Sequence, residues 1–176
     1  VYDELKEMRP EDIAPLFEQI DMQDAVKLFR LLPKSLAADT FVEMDSEHQQ
    51  KLIEAFSDTE LKAMLDEMYV DDTVDIIEEM PANVVRRILR QSDAQTRKNI
   101  NEILNYPSDS AGSIMTTEYV SLNPALRFSE AFAHIRKVGI DSETIYTCYV
   151  TKNRRLLGVV SVRTLLLSDP DAVISD

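Results

Sequence analysis

The segment Tyr69–Met80, YVDDTVDIIEEM, concentrates carboxylates among apolar residues. At 100° per residue its acids span about 120° of a helix, opposite the apolar side chains. The acids are Asp71, Asp72, Asp75, Glu78 and Glu79, and the apolar residues are Val74, Ile76, Ile77 and Met80. Carboxylate oxygens suit Mg²⁺ or Ca²⁺, and Mg²⁺ keeps several waters while using one or two carboxylates. The pattern predicts either a cation site or a solvated acidic face.

Residue types for catalysis are sparse. His48 lies among polar residues and His134 lies in an amphipathic helical stretch, with no nucleophile in a recognisable turn beside either. The sequence contains no HExxH, no glycine-rich phosphate loop and no CxxC. Cys148 sits in the apolar run IYTCYV and is expected to be a core residue. We therefore expect no enzyme activity.

The composition restricts the partners. The 176 residues carry a net charge of −13, which excludes nucleic acid as a favoured partner because phosphate binding depends on Lys and Arg. A single cysteine fits a reducing compartment. No signal peptide and no run of about 20 apolar residues is visible, so the chain as given is expected to be soluble.

The first hundred residues contain a degenerate repeat of about 24 residues in four copies. Within each copy, apolar residues at i, i+3 and i+4 predict two short amphipathic helices. The linkers DMQD, DSEH, YVDD and SDAQ place Asp or Ser where it caps the second helix. Such small pairs bury their apolar faces by stacking, which predicts a helical solenoid. An irregular bundle, with Pro33 and Pro81 as simple helix breakers, is the alternative.

The pattern changes near residue 107, where YPSDSAG has the composition of a linker. The strands YVSL, TIYTCYV and LLGVVSV and the helices FSEAFAHIRKVG and RTLLLSD follow, with Asn153–Arg154 as a turn. This order predicts a β-α-β-β-α unit of about 60 residues. It is small for an independent core and needs a second copy, in the same chain or another.

Three segments resemble the cytosolic region of MgtE-type magnesium transporters: YPSDSAGSIMTTEYVSL, ETIYTCYVTKNRRLLGVVSVRTLLLSDPD and DDTVDIIEEMP. In that family a helical N-domain precedes a pair of CBS domains. The resemblance implies an α + α/β architecture. An all-α superhelical N-domain would occupy residues 1–107, and the first CBS unit would occupy residues 108–176.

The resemblance also implies a function. The family consists of dimeric, Mg²⁺-selective channel-like transporters whose cytosolic domains sense Mg²⁺ at the plasma membrane. Bound ions bridge acidic surfaces of the N-domain, the CBS pair and the membrane part, and so favour the closed pore. The expected metal ligands are Asp71, Asp72 and Asp75, with Asp109 or the backbone near Gly112 as a junction contributor. The expected partners are Mg²⁺, the pore domain of the full-length protein and a second copy joined through CBS units.

Two departures from the family pattern matter. The chain holds only the first CBS unit, so the acids of the second unit and the pore are missing. CBS units that bind adenosine usually carry an acid three positions after the Ser of GVVS, where this chain has Thr164. This counts against nucleotide binding. The alternative function is a stand-alone interaction scaffold that dimerises through its CBS unit, and a gene without hydrophobic spans after Asp176 would favour it.

Overall fold

The computed structural model describes residues 2–175, apart from the side chains of Tyr2 and Asp3. The chain forms two compact units, one ending at Met115 and the other beginning at Thr116. The sequence pattern ends the helical domain at residue 107, and the ranges 1–107 and 108–176 stay a prediction.

The first unit is helical, and after a short α1 its helices follow the repeat in pairs. The two helices of each copy are separated by only a few residues, which confirms the predicted helix pairs. The helices are α1 Tyr2–Leu5, α2 Pro10–Glu18, α3 Met22–Phe29, α4 Lys34–Val42, α5 Ser46–Ala55, α6 Asp58–Leu65, α7 Val70–Glu79, α8 Ala82–Gln91 and α9 Ala94–Ile103.

Three of the four predicted linker caps are confirmed. Asp21, Asp45 and Asp93 each accept hydrogen bonds from backbone N–H groups in the first turn of α3, α5 and α9. The prediction for YVDD is wrong, because α7 begins at Val70 and its N-cap is Tyr69, which makes no side-chain capping bond. Val70 is buried, so packing draws the helix start ahead of the two aspartates.

Successive repeats stack on one another. The first helices of the pairs, α2, α4, α6 and α8, contact in order, and second helices contact in the pairs α3 with α5 and α7 with α9. The ring of Phe29 meets those of Phe17, Phe41 and Phe56 at centroid distances of 5.9, 6.3 and 5.4 Å. Pro33 and Pro81 are N-caps of α4 and α8 rather than breaks in the stack. The solenoid arrangement is confirmed.

The second unit has the predicted β-α-β-β-α order. Its elements are β1 Tyr119–Leu122, α10 Phe128–Val138, β2 Thr144–Lys152, β3 Arg155–Ser161 and α11 Val162–Leu167. The sheet order is β1-β2-β3, with β1 parallel and β3 antiparallel to β2. Cys148 is fully buried in the core of this unit, and burial raises the pKa of its thiol. The prediction that it is a core residue is confirmed.

The turn between β2 and β3 has positive φ at both central residues, 52° at Asn153 and 62° at Arg154. Two such residues match the right-handed twist of a hairpin. On β3, Leu157 and Val159 point to the same face and are 59% and 61% exposed. This strand therefore presents apolar side chains that the described chain leaves uncovered.

Candidate functional site

Helix α7 separates core from charge as its sequence predicts. The residues on one side of the helix are buried: Val70, Thr73, Val74, Ile76 and Ile77. On the other side Asp71 and Asp72 are half-buried, whereas Asp75, Glu78 and Glu79 are exposed. Folding therefore buries the apolar face in the core and leaves the carboxylates wholly or partly accessible to solvent. We call these five acids the α7 carboxylate face.

Three acids of the α7 carboxylate face have no compensating cation among the described residues. Within residues 2–175, Asp75, Glu78 and Glu79 form no ion pair with a basic side chain. Asp71 and Asp75 are four residues apart on one helix, a spacing at which like charges repel by a few tenths of a kcal/mol. Asp71 and Asp72 lie in the first turn, where the helix dipole favours negative charge. A bound cation would relieve the remaining repulsion.

Part of this face borders a shallow groove of about 180 Å³. Asp72, Asp75 and Glu79 supply its acidic wall, and the remaining lining residues are Val42, Met44, Gln49 and Ile76. The Gln49 side chain is buried and donates through Nε2 to the carbonyl of Phe41 at 2.9 Å. Since one water needs only about 10–15 Å³, the groove accommodates an ion that keeps part of its hydration shell.

The predicted junction residues lie in the segment after α9. Asp109 is exposed and has φ of 62° in a turn closed by a 3.2 Å bond from Ser110 N to the carbonyl of Pro107. Gly112 packs so closely on Tyr106 that an added Cβ would be 2.3 Å from its ring. Within the described residues the Asp109 carboxylate does not join the α7 acids in a cluster of metal-ligand dimensions. The ligand roles of Asp71, Asp72, Asp75, Asp109 and Gly112 stay predictions.

The structure shows one cluster that the sequence analysis missed. Among the described residues, potential ligand atoms of Glu18, Asp45 and His48 lie within 4.8 Å of one another. Glu18 Oε1 accepts from Asp45 N at 3.3 Å, and Nδ1 of His48 lies 2.9 Å from both carboxylate oxygens of Asp45. The backbone N–H and the ring of His48 lower the pKa of the Asp45 carboxyl. DSEH signals a helix start, but nothing local in the sequence points to Glu18.

Within the part of the chain that the structure describes, no helix is both long and apolar enough to cross a membrane. The longest helix, α10, has 11 residues, whereas a membrane span needs about 20.

The family comparison covers most of the helical unit. The family model of the MgtE intracellular N domain matches residues 8–109, which is more than half of the chain. The curated magnesium transporter MgtE of Thermus thermophilus is 30% identical over 171 residues, covering 94% of this chain and 38% of the transporter. The MgtE of Bacillus subtilis is 26% identical over 173 residues, covering 98% of this chain and 38% of that transporter. The chain thus spans little more than a third of these relatives.

Two solved structures match this chain over both of its units. The cytosolic domain of the Mg²⁺ channel MgtE in complex with ATP superposes with a TM-score of 0.90 at 29% identity, covering 99% of this chain and 72% of that one. The soluble part of a magnesium transporter superposes with a TM-score of 0.86 at 26% identity. This match covers 97% of this chain and 68% of that one.

Stacked helix pairs followed by a CBS-like β-α-β-β-α unit define the cytosolic region of a magnesium-transporter family. The chain belongs to the MgtE family, whose intracellular N domain it contains. The resemblance of the sequence to the cytosolic region of MgtE-type transporters is therefore confirmed.

Proposed function

We propose that this chain is the Mg²⁺-sensing regulatory region of a magnesium transporter or channel, on the cytoplasmic face of the plasma membrane. The observation that carries the proposal is the α7 carboxylate face, in which Asp75, Glu78 and Glu79 are exposed and form no ion pair within the described residues. The named relatives are a magnesium transporter and a Mg²⁺ channel. Membership of that family supports Mg²⁺ as both the regulatory and the transported ion.

In the proposed mechanism Mg²⁺ joins the α7 carboxylate face to acidic surfaces elsewhere in the full-length protein. Asp71, Asp72 and Asp75 hold the ion through one or two carboxylates, and retained waters reach the opposite surface. With a net charge of −13, the compact arrangement depends on such counter-cations. When Mg²⁺ falls, repulsion favours the separated state and the pore opens.

The second unit is proposed to pair with another CBS unit and so to make the assembly dimeric. Support comes from β3, an edge strand whose Leu157 and Val159 are mostly exposed. Tyr146 on β2 and Leu166 and Leu167 on α11 are exposed as well, at 81%, 67% and 77%. Exposed apolar side chains in this number favour an interface over a solvated surface.

The second unit has a residue at position 164 that bears on nucleotide binding. The similar MgtE structure is in complex with ATP, whereas this chain has Thr164 where a carboxylate would hold the ribose hydroxyls. The Thr164 hydroxyl lies 2.9 Å from that of Ser161, the N-cap of α11. A hydroxyl is a weaker partner for a ribose diol than a carboxylate, so we expect weak ATP binding by this chain.

The Mg²⁺ proposal is tested with the Asp71→Asn, Asp75→Asn double variant. Millimolar Mg²⁺ is expected to raise the melting temperature of the wild-type chain, because an ion that binds only the folded state stabilises it by mass action. The double variant should lose most of this increase. Glu102→Gln with Glu143→Gln removes the same charge from other exposed positions and should respond as the wild type does.

Equal Mg²⁺ responses in the wild type and the Asp71, Asp75 variant would contradict the assignment. Because acids outside this chain contribute to the proposed bridges, the same comparison belongs on the full-length protein, with Mg²⁺-dependent pore closure as the readout.

The runner-up function is a protein-interaction scaffold that dimerises through its CBS unit. The exposed apolar residues of the second unit favour it as well. The two functions differ in one gene-level observation, since only the transporter requires hydrophobic spans elsewhere in the polypeptide. A complete gene that lacks them would favour the scaffold.

A further inference from the structure

Two carboxylates and an imidazole meet where the end of α2 faces the beginning of α5. Glu18 is the last residue of α2, Asp45 is the N-cap of α5, and His48 lies in the first turn of α5. Their ligand atoms all lie within 4.8 Å of one another. With metal–ligand bonds near 2.1 Å, neighbouring ligand atoms are about 3.0 Å apart in octahedral coordination and about 3.4 Å apart in tetrahedral coordination. The 2.9 Å separation of His48 Nδ1 from Asp45 Oδ2 is close to the octahedral value.

Helix capping accounts for only part of this arrangement. Glu18 Oε1 accepts from Asp45 N, and Asp45 Oδ1 accepts from His48 N at 2.8 Å. Capping therefore uses Glu18 Oε1 and Asp45 Oδ1, whereas Asp45 Oδ2 lies 2.9 Å from Nδ1 of His48. It also makes no use of an imidazole, yet the His48 ring is turned onto Asp45 and is only 23% exposed. The ring nitrogen distinguishes this cluster from an acidic surface patch.

We propose that Glu18, Asp45 and His48 form a binding site for a late first-row divalent cation of the Zn²⁺ or Co²⁺ type, with water completing the coordination. Imidazole nitrogen suits these ions, whereas Mg²⁺ prefers oxygen ligands only. The Asp45 side chain is 52% exposed, which gives the ion and its waters access from solvent. The site is distinct from the α7 carboxylate face, and its ligands come from the first two repeats. Bound metal joins α2 to α5.

Co²⁺ titration of the full chain tests the proposal. Titration is performed with millimolar Mg²⁺ present, so that all-oxygen sites are occupied, and binding is followed by calorimetry and visible absorption. We expect one Co²⁺ per chain with nitrogen-ligand absorption bands. Replacing one ligand, as in His48→Gln, should weaken binding by tenfold or more. His134→Gln removes the other histidine, on α10, and should leave binding unchanged.

Two further variants separate metal binding from capping. Asp45→Asn keeps a good N-cap, and Glu18→Gln keeps an acceptor oxygen for Asp45 N. Both should retain the metal-free melting temperature within about 2 °C and still lose Co²⁺ affinity at least tenfold. The proposal is overturned if the wild-type chain binds no Co²⁺ under these conditions. It is equally overturned if His48→Gln, Asp45→Asn and Glu18→Gln all bind as tightly as the wild type.

Discussion

Nε of Arg30 lies 2.6 Å from Oε1 of Glu60, so an ion pair joins the end of α3 in the first repeat to α6 in the third. Glu60 also accepts from Ser57 N at 2.8 Å, as part of the capping box of α6. The Arg30 hydrogen bond, followed by the Ser57 bonds, lowers the pKa of Glu60 from 4.5 to about 2. One carboxylate thus supports both a helix start and a contact between non-adjacent repeats.

We expect Glu60→Gln to lower the free energy of unfolding by about 1 kcal/mol at pH 7, a value reduced by solvent screening of this partly exposed pair. Because the folded-state pKa is lowered, the stabilisation is complete above pH 4.5 and is lost as pH falls to about 2. Melting temperatures of the wild type and Glu60→Gln at pH 7, 4 and 2 measure this loss of stabilisation. The difference from wild type should disappear near pH 2, and a constant difference would contradict the ionic origin.

Arg87 provides a second prediction. Its guanidinium donates to the carbonyls of Ile53 and Phe56 at the end of α5 and to Asp58 Oδ1 at 3.0 Å. Arg87→Ala leaves these carbonyls without their donor, and we expect a loss of about 2–3 kcal/mol of unfolding free energy. Denaturant titration followed by circular dichroism at 222 nm measures the loss.

Arg86 is the matched control on the same helix. It is exposed, and within the described residues no hydrogen bond or ion pair holds its side chain. Arg86→Ala should change the unfolding free energy by less than about 0.5 kcal/mol. Similar losses for the two alanine variants would show that the guanidinium contacts of Arg87 are not what stabilises this part of the stack.

The hairpin turn gives a third prediction, in the stabilising direction. Arg154 has φ of 62°, a conformation that costs a residue with a Cβ about 1 kcal/mol and costs glycine nothing. Arg154→Gly also creates the Asn-Gly pair that favours this turn. We expect the second unit to gain about 1 kcal/mol, measured as a higher melting temperature by calorimetry.

Arg155→Gly is the control for the hairpin. Arg155 is the first residue of β3 and pairs with Lys152, so glycine there adds backbone freedom to the unfolded chain without relieving a left-handed residue. The control should be destabilised slightly. A melting temperature raised equally by both glycine variants would contradict the conformational explanation.

The repeat architecture was predictable because its signals are local and recur. Apolar spacing gave the helix pairs, and aspartates such as Asp21 and Asp93 marked where second helices begin. The same rule failed at YVDD, where the core position of Val70 decides the helix start and tertiary packing overrides capping preference. In the second unit, strand composition and the Asn153–Arg154 turn were sufficient.

The candidate sites were predictable only in part, for a geometric reason. The α7 carboxylate face follows from the periodicity of one helix and needs no tertiary information. The contact of Glu18 with Asp45, 27 residues apart, depends on how far one repeat is offset from the next. No local pattern encodes that offset, so His48 showed only polar neighbours in the sequence.

The division of α7 into a buried apolar side and an exposed acidic side has an evolutionary consequence. Val74, Ile76 and Ile77 are constrained by packing, whereas Asp75, Glu78 and Glu79 can change with little cost to folding. Under the proposed function, selection can therefore adjust the Mg²⁺ concentration at which the region responds by exchanging single acids, while the helix stays in place. Differences between relatives in this segment should therefore occur more often at Glu78 and Glu79 than at the proposed ligand Asp75.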